Sequence, residues 1–266
     1  MRCCFDASEF TGLPDTEPCP TALNVPAIIR GLDALYARGR EDEAQDYLER
    51  QLDRAREAGD WRAELAVTSE LLGQYRRSMD AEKGLAAVES ALALVREHRL
   101  GRTVSGATVL LNAATTLGCF GEHESALPIF RHVSRVYAEQ LDPQDYRFAG
   151  LFNNMAQSHA ALGEFAQAEA MFLSAVKIME GLGGGGCEIA VTLCSLAELY
   201  DAADPEDARI ADCLERAWSC LDDPALERGG YYAFMASKCV PAFDRLGFFL
   251  YAKDLEERIR TIHEGT

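Results

Sequence analysis

The sequence is poor in positive charge. Lysine and arginine together number 26 against 43 aspartates and glutamates, which gives a formal net charge of −17. A protein that binds a nucleic-acid backbone normally presents a basic face that displaces counterions. The same field repels anionic lipid headgroups. Nucleic acid and membrane surfaces are therefore not expected partners.

Long apolar stretches are also missing. No segment approaches the roughly 20 consecutive apolar residues that a membrane-spanning helix requires. The first 20 residues contain Asp6, Glu9, Asp15 and Glu17, which do not fit the apolar centre of a secretory signal. We therefore expect a cytoplasmic protein.

Proline is scarce once the first 26 residues are passed. The chain has nine prolines in 266 residues, and four of them (Pro14, Pro18, Pro20, Pro26) lie in that opening segment. The remainder is therefore free to be helical. The nine cysteines are an odd number and mostly stand singly in apolar helical patterns, so we expect reduced thiols that serve as small hydrophobic residues.

An internal repeat organises the rest of the chain. The segment LLNAATTLGCFGEHESALPIF (110–130) aligns without a gap on FNNMAQSHAALGEFAQAEAMF (152–172), at a spacing of 42 residues. Extending this spacing in both directions predicts six units after an N-terminal tail or cap at residues 1–24. The predicted units lie near residues 25–59, 60–102, 103–144, 145–186, 187–229 and 230–266.

Each unit is predicted to be a pair of antiparallel helices. Apolar residues recur at intervals of three and four, which is typical of one helical face and not of a strand. Turn-forming residues such as Gly163 separate the two helices, and Asp142-Pro143 and the glycines at 183–186 separate units. In the sixth unit, Pro241 is expected to interrupt a helix.

The fourth unit carries a residue pattern that resembles the tetratricopeptide repeat. Ala168 is followed by Phe172 and Ala175, and the small residue Ala156 precedes them by twelve positions. The 42-residue period is similar to that of the longer repeats of kinesin light chain. This resemblance implies an all-α, right-handed α-solenoid of about six helix-turn-helix repeats, whose first helices line a concave face. It also implies a non-catalytic adaptor or scaffold that binds a protein or peptide.

The resemblance places ligands against the first helices. Asn112 and Asn154 occupy equivalent positions, and an amide can both donate to and accept from a peptide backbone. In the alternative interpretation, these amides only satisfy polar groups between helices. The candidate peptide-binding residues are Arg76, Arg77, Asn112, Thr115, Asn153, Asn154, Gln157 and Ser195. The acidic charge favours a neutral or basic partner, and the sequence is compatible with a homo-oligomer.

Two other classes of function are alternatives to the adaptor. One is a bacterial regulator that senses a short signalling peptide, although relatives of that kind carry an extra effector domain for which these repeats leave no room. The other is an enzyme on a helical scaffold, for which no constellation of residues argues.

Signals for metal and cofactor chemistry are weak. Cys3, Cys4 and Cys19 lack a nearby fourth ligand for zinc, and the five histidines form no ligand pair. The glycine run at 181–186 formally fits a dinucleotide-binding pattern but follows a helix, not a strand. We therefore expect no catalytic residues, no metal and no cofactor.

Overall fold

The structure is a computed structural model that describes residues 23–264, apart from residues 37, 39 and 184. Cys3, Cys4, Cys19 and nearly all of the predicted tail or cap at residues 1–24 lie outside the described residues.

The described residues form twelve α-helices and no strand. A short 3-10 turn, Leu100–Arg102, stands between the fourth and fifth helices. The helices are α1 Val25–Tyr36, α2 Glu41–Glu57, α3 Trp61–Arg77, α4 Ala81–Glu97, α5 Val104–Cys119, α6 His123–Gln140, α7 Tyr146–Ala161, α8 Phe165–Gly181, α9 Gly186–Ala203, α10 Arg209–Leu221, α11 Gly230–Arg245 and α12 Phe249–Glu264.

The helices pack as six consecutive pairs in two compact units. The first unit ends at Leu141 and contains α1 to α6, and the second begins at Asp142 and contains α7 to α12. Within each unit, every odd-numbered helix packs on the even-numbered helix that follows it and also contacts the next odd-numbered helix. This is the packing of helix-turn-helix repeats, and the predicted all-α repeat fold is confirmed.

The positions that define the repeat form the core. Ala126 and Ala168 are fully buried, and Phe130 and Phe172 are almost completely buried. A small residue lets two helices approach closely while the aromatic ring fills the space beside it. In the fifth pair the small residue is replaced by Ile210, which is also buried.

The turn inside a pair repeats its backbone conformation at the same 42-residue interval. Met79, Gly121 and Gly163 all have a positive φ, at 54°, 84° and 75°, and Gly247, two intervals on, has 86°. The residue at the intervening position is Pro205, whose ring fixes φ near −65°. Correspondingly, the connection from α9 to α10 is longer, running from residue 204 to 208.

One prediction about helix ends is wrong. Pro241 does not interrupt a helix, because α11 continues through it from Gly230 to Arg245. A proline inside a helix removes one backbone donor and leaves the carbonyl four residues earlier without its partner. Here that carbonyl belongs to Ser237, and both Ser237 and Pro241 are exposed, so water can satisfy it.

We predict that Met79→Gly stabilises the protein. An L-residue in the left-handed region is strained, and glycine relieves that strain at some cost in chain entropy, so the free energy of unfolding should rise by about 0.5 kcal/mol. The matched substitution Gly163→Ala should lower it by about 1 kcal/mol. Urea denaturation followed by circular dichroism measures both. A destabilised Met79→Gly variant would contradict the turn assignment.

Candidate peptide-binding faces of the first helices

Polar side chains of α7, α9 and α11 contact one another from helix to helix in the second unit. We call the surface that they line the second-unit face. On α9, the side chains that do not join the core recur every three or four residues. Glu188, Val191, Ser195 and Glu198 are half-buried, and the residues between them are buried. The face consists of Asn153, Asn154 and Gln157 of α7, these four residues of α9, and Tyr231, Phe234, Lys238 and Arg245 of α11.

Hydrogen bonds join α7 to α9 across this face. Thr192 Oγ1 donates to Asn153 Oδ1 at 3.2 Å, and Asn153 Nδ2 donates to Asn154 Oδ1 at 3.3 Å. The amide of Asn153 is thus engaged within the protein. Gln157, one turn further along α7, is exposed and presents both a donor and an acceptor to solvent.

Two carboxylates join α9 to α11. Tyr231 Oη donates to Glu188, and Arg245 Nη2 pairs with Glu198 Oε1 at 2.7 Å. Burial, and then the hydrogen bond to Glu188, raise the pKa of Tyr231 above its ordinary value, so the phenol stays protonated at neutral pH. The phenol therefore remains a donor to this carboxylate.

An aromatic ring lies between these two links. Phe234 is half-buried, and Lys238 Nζ lies 4.2 Å from the centre of its ring. The ammonium group is attracted to the face of the ring. The second-unit face therefore offers an apolar contact flanked by a cation, with the exposed amide of Gln157 on α7.

In the first unit, two of the four predicted residues, Arg76 and Asn112, contact each other. Arg76 Nη1 donates to the carbonyl oxygen of Asn112 at 3.2 Å and to Thr116 Oγ1 at 2.7 Å. Asn112 Nδ2 donates to Ser69 Oγ at 2.9 Å. Burial lowers the pKa of Arg76 from its ordinary value, which nevertheless leaves the guanidinium charged at neutral pH. Arg76 and Asn112 thus tie α3 to α5.

The remaining predicted residues have mixed surroundings. Thr115 donates to the carbonyl of Leu111 at 2.8 Å, and Ser195 donates to that of Val191 at 3.2 Å. Arg77 is exposed, with its guanidinium 4.6 Å from the ring of Tyr36. The two hydroxyls are therefore at least partly satisfied by their own helices.

The contacts of Asn112 favour the structural interpretation that its sequence left open. Asn112 lies in the first unit and its repeat equivalent, Asn154, in the second, and each amide has a partner on its own unit.

Sequence reasoning missed Glu188, Glu198, Tyr231 and Phe234. The spacing of 188, 191, 195 and 198 within an otherwise apolar helix is the signal that could have found the α9 residues.

Several buried polar groups elsewhere have structural partners. Asp60 caps α3 by accepting from the amide of Ala63 at 3.1 Å and accepts from the amide of Leu23 at 2.6 Å. His132 Nε2 lies 2.7 Å from the carbonyl oxygen of Gly101, and burial lowers the pKa of this imidazole. His159 is buried and bonded to Glu164.

The part of the chain that the structure describes contains no group of three or more His, Cys, Asp or Glu side chains placed to hold a metal ion. Likewise, none of its helices combines the length and the apolar character needed to cross a membrane.

Comparison with known proteins finds a family model that matches part of the chain. Residues 147–213, which span α7, α8, α9 and the start of α10, match the family model of the tetratricopeptide repeat. This stretch is similar to tetratricopeptide repeats. The resemblance predicted from the sequence is thereby confirmed, and its residues Ala156, Ala168 and Phe172 lie in this stretch.

Solved structures extend the tetratricopeptide fold to most of the chain. The kinesin light chain TPR-like repeats of Podosopora anserina superpose with a TM-score of 0.53 at 16% identity, covering 75% of this chain and 94% of theirs. BtubC (BKLC) of P. vanneervenii gives 0.56 at 18% identity, covering 90% and 92%. The Rap protein in complex with Competence and Sporulation Factor gives 0.58 at 14% identity, covering 92% of this chain and 66% of Rap. No curated protein matches the chain by sequence.

We predict that Asn112 and Ser69 stabilise the first unit as a pair. Asn112→Ala should lower the free energy of unfolding by about 1 kcal/mol, because it removes the hydrogen bond to Ser69 Oγ. Ser69→Ala should have a smaller or similar effect. In a double-mutant cycle the two effects should not add, and full additivity would show that the bond contributes nothing.

Proposed function

We propose that the chain is a non-catalytic adaptor that holds a peptide segment of another protein on the faces of its first helices. The observation that carries the proposal is the composition of the second-unit face. Amides, a half-buried aromatic ring and charged groups lie together there, although the same helices are apolar on their packed sides. Interaction through repeat surfaces is what a tetratricopeptide scaffold is suited to.

The residues of this face suit an extended peptide. Gln157 and Asn154 can hydrogen-bond a peptide backbone, whose donors and acceptors do not depend on sequence. Phe234 supplies the apolar contact that an interface needs at its centre. On the first unit, Arg77 is the exposed cation among the predicted residues. Arg76 and Asn112 link α3 to α5, and Thr115 bonds a carbonyl of its own helix.

The charge of the protein supports a neutral or basic partner. A net charge of −17 accelerates the approach of cationic segments and slows that of anionic ones. Glu188 and Glu198 place carboxylates on the face itself, each held by a neighbour on α11. A cytoplasmic setting is part of the proposal, because all six cysteines that the structure describes carry unbridged thiols.

A sensor of a short signalling peptide is the second candidate. The similarity to Rap, which was solved with Competence and Sporulation Factor bound, supports it. A sensor must change conformation on binding, since a ligand shifts an equilibrium only by its different affinities for two states. An adaptor need not do so. Hydrogen exchange of the chain with and without a bound peptide distinguishes the two, because only a sensor should show altered protection far from the face.

We predict that Asn154→Ala combined with Gln157→Ala weakens peptide binding about tenfold or more, since each lost net hydrogen bond contributes about 1 kcal/mol. The ligand would be a neutral or basic peptide selected on the wild-type chain from a displayed library, with affinity measured by fluorescence anisotropy. Phe234→Ala should weaken binding further, and rising salt should weaken binding of a basic peptide.

The matched control is Phe249→Ala, which removes a 63% exposed aromatic ring outside the face and should leave binding unchanged. Circular dichroism confirms that each variant keeps its helicity. If the second-unit variants and the control bind the selected peptide equally, the second-unit face is not the binding site. If the library yields no specific peptide at all, the peptide-binding function itself fails.

A further inference from the structure

Three tyrosines of the described chain donate their hydroxyl group to a glutamate on a neighbouring helix. The pairs are Tyr75 with Glu49, Tyr200 with Glu169 and Tyr231 with Glu188. Burial first, and then the neighbouring carboxylate, raise the pKa of each of these phenols above its ordinary value. All three phenols are therefore neutral donors at neutral pH.

A basic side chain completes two of these pairs. Arg209 Nη1 lies 2.7 Å from Glu169 Oε1, which is the oxygen that accepts from Tyr200. The guanidinium carbon of Arg209 also lies over the ring of Tyr200, 3.9 Å from its centre. One flat guanidinium thus pairs with the carboxylate and covers the ring. Lys83 completes the Tyr75 pair, with its ammonium group 2.8 Å from the shared glutamate oxygen.

The Tyr231 pair has no such cation. Among the residues that the structure describes, no lysine or arginine forms an ion pair with Glu188. The basic residues of α11 and of the loop before it are engaged elsewhere: Arg228 with Asp222, Lys238 over the ring of Phe234, and Arg245 with Glu198. The phenol of Tyr231 is neutral, so it leaves the negative charge of the carboxylate uncompensated.

The Tyr231 pair is also the accessible one of the three. Tyr231 is 59% exposed and Glu188 is half-buried, whereas Tyr75 and Tyr200 are only 6% and 5% exposed. A cation is attracted both to the face of an aromatic ring and to a carboxylate. Because Tyr231 and Glu188 belong to the second-unit face, a peptide held on that face can reach both groups.

We propose that an arginine side chain of the bound peptide completes the Tyr231 pair, with its guanidinium over the ring and paired with the Glu188 carboxylate. This inference rests on the proposed function, because it names one residue of the peptide that the second-unit face holds. Arginine suits the pair better than lysine does. A guanidinium is flat and can cover a ring while it pairs with a carboxylate, as Arg209 does, whereas an ammonium group is a compact point charge.

The first test is selection of peptides from a displayed library on the wild-type chain, on Glu188→Gln and on Glu256→Gln. Glutamine at position 188 keeps an acceptor for the Tyr231 hydroxyl but removes the charge. Glu256 is exposed on α12, outside the face, and its replacement changes the net charge by the same amount. Peptides selected on the wild type and on Glu256→Gln should share an arginine at one position. Its absence there, or its persistence in peptides selected on Glu188→Gln, would overturn the proposal.

The second test replaces that arginine in a selected peptide by citrulline, which has nearly the same shape without the charge, or by lysine. Citrulline should weaken binding to the wild type roughly five- to tenfold, because an exposed cation–π contact and an exposed ion pair each contribute a few-fold. Glu188→Gln should bind the arginine and citrulline peptides equally. Tyr231→Leu should weaken binding more than Tyr231→Phe, which keeps the ring, with circular dichroism checking helicity. If citrulline or lysine binds the wild type as tightly as arginine, the assignment is wrong.

A titration with N-acetyl-argininamide separates failure of this inference from failure of the proposed function. At millimolar concentration it should shift the nuclear magnetic resonance signals of the Tyr231 ring, which are identified by their loss in Tyr231→Phe. The citrulline analogue, and the Glu188→Gln variant, should show no such shift. If the library yields no peptide but the shift appears, the adaptor function fails and the arginine site stands. If peptides bind without dependence on arginine, the function stands and this inference is overturned. Neither peptide nor shift overturns both.

Discussion

Each helix pair of this chain has more apolar surface than its own two helices can cover, so it depends on the neighbouring pair within its unit. The dependence is clearest at α9, which packs on α8 and α11 as well as on its own partner α10. Ten residues of α9 are buried, more than one helical face can provide. Phe172 of α8 shares a core with Leu193 of α9 and Leu214 of α10. Stability in such a protein is carried by contacts between neighbouring repeats.

This dependence also decides which surfaces remain for function. A helix covered on most of its circumference keeps only a narrow polar strip, and on α9 that strip runs through Glu188, Ser195 and Glu198. Neighbouring first helices are linked along their strips by hydrogen bonds, such as Asn112 to Ser69 in the first unit, and by ion pairs, such as Arg245 with Glu198 in the second. Neighbouring second helices are also linked by exposed ion pairs, such as Arg216 with Glu180. Exposed pairs add little stability, so these links fix register more than they hold the repeats together.

The sequence predicted the fold well because the fold depends on local signals that recur. Gly121 and Gly163 mark the turn within a pair, and Ala126 and Ala168 mark the close approach of helices, each at the same interval. The sequence could not predict the partners of the inward polar residues. Whether Asn112 meets Ser69 or solvent depends on how far α5 is displaced along α3, and that displacement comes from packing. Pro241 shows the same limit, because its tolerance in α11 depends on the exposure of Ser237.

Two consecutive residues of α3 illustrate how packing gives neighbouring residues separate roles. Thr68 and Ser69 are consecutive on α3, yet Ser69 bonds to Asn112 of α5 while Thr68 faces the space between α2 and α4. Arg76 lies two turns beyond Ser69 on the same side of α3, and it adds a second link to α5 through Thr116. The side chains of one short stretch of α3 thus serve two interfaces, one with α5 and one with α2 and α4.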